Sequence, residues 1–194
     1  MTSSILTHKV QTIETPSFIS FLFNDRRASI LWLAVRVWLG WNWLEAGWGK
    51  LQNPAWMQTG EALKGFWTRA VQIPAEGRPP IAYDWYRSLI QSMLDSGSYV
   101  WFAKLVAVGE LLVGVAMIFG FLMFFTAFMA GFMNWNFIMA GSASVNGAWI
   151  VLAVLLIAAW KFAGYLGADY FLLYRFTELR KTPKTSPVPA PYLR

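Results

Sequence analysis

The sequence predicts an all-α membrane protein: an antiparallel four-transmembrane-helix bundle with a long outer loop, containing interfacial helices, between spans one and two. Three observations predict it. The chain of 194 residues is 57% hydrophobic and only 13% charged, where a soluble domain is about 45–50% apolar and about 25% charged. Its apolar residues fall into runs that supply four spans of about 20 residues each. Its cations flank those runs: Arg26 and Arg27 precede the first, and Arg175, Arg180, Lys181 and Lys184 follow the last. The positive-inside rule then puts both termini in the cytoplasm.

Residues 1–28 read as a cytoplasmic and interfacial segment, without the basic flank, apolar core and cleavage site of a signal peptide. Its short apolar run Phe18–Phe23, after Pro16 and Ser17, is too short to span and is expected on the inner membrane surface. Span one runs from about Ile30 to Gly49, and Asn53-Pro54 breaks the helix, because proline disfavours helical geometry in the residue before it. The loop 51–98 mixes aromatics and charges at helical spacing over Ala55–Ala70 and Ile81–Leu94, which predicts two interfacial helices over the outer mouth of the bundle. Tyr99–Ala140 is nearly continuous apolar sequence, about twice what one span needs. Gly120 at its midpoint is the expected cytoplasmic turn of a helical hairpin, and GSASVNG the outer turn before span four, about Ala148–Gly167. Tyr165, Tyr170 and Tyr174 form an inner aromatic belt. The membrane domain is thus 29–176, followed by a Pro-rich disordered tail over 177–194.

Cysteine is absent and the one histidine, His8, lies in the polar N-terminal tail. Without thiolates or a histidine pair at membrane depth, no haem, iron–sulfur cluster or other metal is expected. Redox chemistry here must borrow its electron carrier. The lipid bilayer is an expected partner, and nucleic acid is not.

Ionisable groups inside the apolar runs are costly, at about 2.5–3.5 kcal/mol each at the centre of a span on insertion scales. Helical rise places Arg36, Glu110 and Lys161 roughly 9–13 Å from the inner face, so they can form one inner cluster. Glu45 and Lys104 lie about 6 Å from the outer face. There Lys50, Asn134, Asn136 and Asn146 reach similar depth and predict a polar outer pocket roofed by the long loop. At about 100° per residue Glu45 falls opposite Arg36, on the side of Trp38, Trp41 and Trp48. Either Glu45 faces a partner or the loop, or the helix distorts near Gly47-Trp48-Gly49. The lysines and Arg36 have a plainer reading as snorkelling groups. Glu110 is too short to snorkel, which leaves a structural ion pair, a neutral carboxylic acid, or a binding or proton-relay role.

These residues resemble the DoxX/DoxD family of four-span membrane proteins. Arg36, Gly40, Gly47 and Lys50-Leu51 match its span-one pattern, Glu110 and Gly114 its span two, and GSASVN its small-residue outer turn. GYLGAD, ending at Asp169, is similar to its terminal signature, although Gly167-Ala168 replace the usual small residue and serine. The likeness covers about Ile30–Phe176. The long first loop and AGWGKLQNPAW look more like the DoxD branch, the small membrane subunit of thiosulfate:quinone oxidoreductase. The resemblance implies a prokaryotic inner (plasma) membrane protein that oxidises thiosulfate with a membrane quinone as acceptor, beside a second small subunit or within a larger membrane complex. On that reading Glu45 and Glu110 are the candidate catalytic residues. Lys50, Lys104, Asn134, Asn136 and Asn146 bind substrate, and Arg36, Lys161 and Asp169 form structural ion pairs. The competing expectation is a non-catalytic assembly subunit of a respiratory or photosynthetic membrane complex.

Overall fold

The computed structural model describes residues 15–173, and among them every regular element is helical. The expected N-terminal tail with His8, the Pro-rich tail, and the belt and flanking residues from Tyr174 onward lie outside the described residues.

The order is α1 (Ser17–Asn24), a 3-10 turn (Arg26–Ala28), α2 (Ser29–Leu51), α3 (Pro54–Met57), α4 (Glu61–Ala70), α5 (Asp84–Asp95), α6 (Tyr99–Phe119), α7 (Met123–Met139), α8 (Asn146–Ala158) and α9 (Trp160–Ala163). Among the described residues α6 is the helix long and apolar enough to cross a membrane by length and composition; α7 and α8 are shorter apolar helices. α2 has 23 residues but carries Arg36, Glu45 and Lys50.

The bundle is assembled on glycine. α2 and α6 run antiparallel: Gly40 lies against Gly114 and Ile118, and Gly47 against Leu111 and Ala107. A Cβ on Gly47 would come within 2.5 Å of the Leu111 backbone nitrogen, so the two backbones touch. Such close approach, through small residues, is how helices associate where lipid removes the hydrophobic drive. Ala127, Ala130, Ala153, Ala159 and Ala163 are buried beside the larger Trp32, Leu39, Trp43, Met117, Met123 and Leu156, while Trp38, Leu112, Phe125, Phe128, Phe132 and Val154 face outward. So much large apolar surface on the outside suits a lipid surround.

Two elements depart from expectation. The fourth apolar segment is not one helix, because the chain turns at buried Ala159 and divides into α8 and α9. The first loop helix likewise divides into α3 and α4 around Gly60, whose φ of 71° brings its backbone onto Tyr99 and Val100 with no room for a side chain. The Asn53-Pro54 break is as read: Asn53 accepts from the Ala55 amide and Pro54 opens α3. α4 and α5 pack Leu63, Trp67, Tyr86 and Ile90 with Ala103 of α6 and Ala140, forming a second core over one end of the bundle. That end is called the loop end, and the opposite one, at Gly120, the arginine end.

Candidate functional site

Two polar centres sit inside the apolar bundle. At the arginine end, Arg36 is 1% exposed. Its guanidinium donates to the carbonyls of Met117, Ile118 and Leu166 at 2.8, 2.6 and 2.7 Å. Met117 and Ile118 are the last turn of α6, where unpaired carbonyls and the negative end of the helix dipole favour a cation. Gly120 closes that helix at φ 66°, and a side chain there would collide with the guanidinium. On the other side of the turn, Asp169 accepts from the Leu122 and Met123 amides at 2.6 and 2.8 Å. It thereby caps the start of α7, the positive end of that helix. Leu122 holds φ 46°, an unfavourable value for a branched side chain, and this double acceptance holds it there. Gly167, against Phe119 and Gly120, lets the segment carrying Asp169 come this close.

The second centre lies toward the loop end. Glu110, mid-way along α6 and 3% exposed, pairs with Lys50 Nζ at 2.5 Å. Lys50 is half-buried, and its ammonium sits 5.2 Å from the centre of the Trp56 ring, whose π-face attracts cations. Two further polar side chains are buried inside the bundle. Asn134, wholly buried on the inward stripe Met123–Ala127–Ala130–Asn134 of α7, has no hydrogen-bond partner at either amide atom. Trp43, one turn before Gly47, has an unpartnered indole N–H and packs on Phe137 and Trp149. Each buried orphan costs about 1–3 kcal/mol, so such atoms mark places where a further polar group is accommodated.

The DoxX family pattern matches residues 31–143, more than half of the chain. This chain belongs to the DoxX family. DoxX is a family of membrane proteins often linked to quinone oxidoreductase subunits. Neither the curated proteins nor the solved structures contain a match to the chain.

In this DoxX protein the expected charge groupings are rearranged. Arg36 does not pair with Glu110, nor does Lys161 join them. Counting residues put Arg36 and Glu110 at similar depth, but side chains lean toward their own helix N-terminus. Arg36 therefore reaches down to the carbonyls closing α6. Lys50, leaning back along α2, meets Glu110 beside the Gly47–Leu111 contact. Lys161 is exposed, over the ring of Trp160. Asp169 acts on backbone amides and has no ion pair among the described residues, though it is close enough to Arg36 for their charges to interact.

The expected outer pocket is likewise dispersed. Lys104 and Glu45 are both exposed and unpaired with each other. Asn136 receives the Tyr86 hydroxyl at 3.2 Å, tying α5 to α7. Burial pushes the Tyr86 pKa upward, so the hydroxyl remains a donor through neutral pH. Asn146 donates to the Ser142 carbonyl in its own turn. Sequence reasoning overlooked Tyr86 as a hydrogen-bonding group, the buried N–H of Trp43 and the Lys50–Glu110 pair itself. The signal was available in the alternation of Trp43, Gly47 and Lys50 along one face of α2.

Proposed function

We propose that α2, α6, α7 and the α8–α9 pair cross the membrane as an antiparallel four-span bundle, within a domain over 29–176. Both ends of that domain are cytoplasmic and the α3–α5 cap is outside. The chain is then the membrane subunit of a quinone-linked oxidoreductase that passes electrons from thiosulfate to the quinone pool of a prokaryotic plasma membrane, with a second subunit beside it. Two thiosulfate dianions joined through a new S–S bond release two electrons, and the quinone takes them up with two protons. Quinone is here a substrate, and nothing in the chain need hold electrons itself.

One observation carries the reading: a carboxylate–ammonium pair buried in an apolar bundle that also buries the unpartnered Asn134 amide and Trp43 N–H. The two N–H donors suit a quinone carbonyl oxygen, and Glu110 can hold or deliver a proton. Lys50, at the mouth beneath the cap, suits an oxyanion arriving from outside.

The test is quinone reduction by thiosulfate in proteoliposomes, with the purified chain alone and with whatever copurifies. Turnover should be present and should fall at least 10-fold in Glu110→Gln. If neither preparation reduces quinone, the role is assembly rather than catalysis.

A further inference from the structure

α2 carries three ionisable groups, and the fold provides for two. Arg36 is bound by carbonyls and Lys50 by Glu110, whereas Glu45 is exposed with no cation within ion-pair distance among the described residues. It stands about 160° around the helix from Gly47, away from the face that α6 covers. Trp41 and Trp48 flank it along the same side, with Trp38 a further turn on, and all three are exposed. Its Cα is about six residues, roughly 9 Å, from the loop end of α2. A short carboxylate on a lipid-facing surface at that depth calls for a counter-charge.

We propose that the Trp38–Trp41–Glu45–Trp48 face of α2 docks a transmembrane helix of a second polypeptide bearing a lysine or arginine at the depth of Glu45. Charge complementarity selects the cation, and the surrounding indole faces add to it, since tryptophan is the best aromatic partner for a cation. A charge matched across such a contact fixes its register and excludes wrong partners.

Among the described residues a second copy of this chain does not supply that cation, since Arg36 is bound by carbonyls and Lys50 by Glu110. In a two-fold dimer with its axis along the membrane normal every residue keeps its own depth. Lys161 lies toward the arginine end on α9, well removed from Glu45. Lys104 is near the start of α6, at about the level of Gln52, and leans toward that start, while Glu45 leans the opposite way. The remaining cations of the cap lie beyond the end of α2. The partner is therefore a different chain. This surface is separate from the Lys50–Glu110 site, and the inference holds whether or not that site is catalytic.

The absence of cysteine allows a single label at exposed Ala143, through Ala143→Cys, in the full chain reconstituted in phosphatidylcholine bicelles. Energy transfer is measured to synthetic leucine–alanine transmembrane helices with lysine, glutamine or glutamate about 9 Å from one end. The wild-type protein should bind the lysine helix at least 10-fold more tightly than the glutamine helix. Glu45→Gln should abolish that preference, Glu45→Lys should transfer it to the glutamate helix, and Trp48→Ala should weaken lysine-helix binding several-fold. Equal binding of all three helices, or a preference that survives Glu45→Gln, would overturn the proposal and leave Glu45 as a lipid-facing group. Transfer between labelled copies without peptide, abolished by Glu45→Gln, would assign the face to self-association and overturn it equally.

Discussion

At the residue scale the protein is defined by where its few buried polar groups find partners. Asp169 takes the two free amides at the start of α7 and Arg36 the carbonyls at the end of α6, so one turn, Gly120–Leu122, is held from both sides. Removing the carboxylate by Asp169→Ala should cost about 1–2 kcal/mol, as for other lost helix caps. Thermal unfolding in detergent would show it, and an unchanged midpoint would mean the cap contributes nothing. The members of this turn were readable in advance: an arginine too deep for comfort, a glycine at the centre of a double-length run, and a terminal aspartate. Their partners were not, because backbone carbonyls leave no trace in a residue list and depth counted in residues ignores which way a side chain leans. The same omission joined Glu110 to Arg36 when Lys50 was the residue in reach.

At the scale of elements, glycine placement decides the packing. Gly47 has no room for a methyl group against Leu111, whereas Gly49, two residues on, meets nothing within 4 Å. Gly47→Ala should therefore destabilise the bundle by about 1–3 kcal/mol, as overpacking does. Gly49→Ala should be neutral or stabilising by up to about 1 kcal/mol, through the backbone entropy of glycine. Equal midpoints for the two variants in a detergent melt would contradict the glycine-built α2–α6 contact. Helix ends set by local chemistry, such as Asn53-Pro54 and Gly120, were legible in the sequence. The division between α8 and α9 was not, since Ala158-Ala159-Trp160 contains no helix breaker and the turn shows only in the backbone of Ala159, at φ −93° and ψ 12°. The break at Gly60 is similar in kind, because its φ matters only once Tyr99 and Val100 lie beneath it.

For the whole molecule, helices brought close by glycine and alanine and an exterior of tryptophan, phenylalanine and leucine give a body suited to lipid, with a cap of α3–α5 over one end. If the cap lies outside, a cysteine at Ala143 should react with an impermeant thiol reagent in intact cells and one at Ser17 should not; the reverse pattern would invert the orientation. The central claim is that the Lys50–Glu110 pair performs chemistry beyond holding helices together, and a double-mutant cycle read in two ways tests it most directly. Lys50→Met and Glu110→Gln, singly and combined, are followed by thermal stability and by quinone reduction in proteoliposomes. Lys50→Met alone strands a buried carboxylate and should cost about 3–5 kcal/mol, much of it regained in the double variant. Turnover should not return with stability: the double variant is predicted to fold well and stay at least 10-fold below wild type, whereas a stable double variant with wild-type turnover would show that the pair is structural alone.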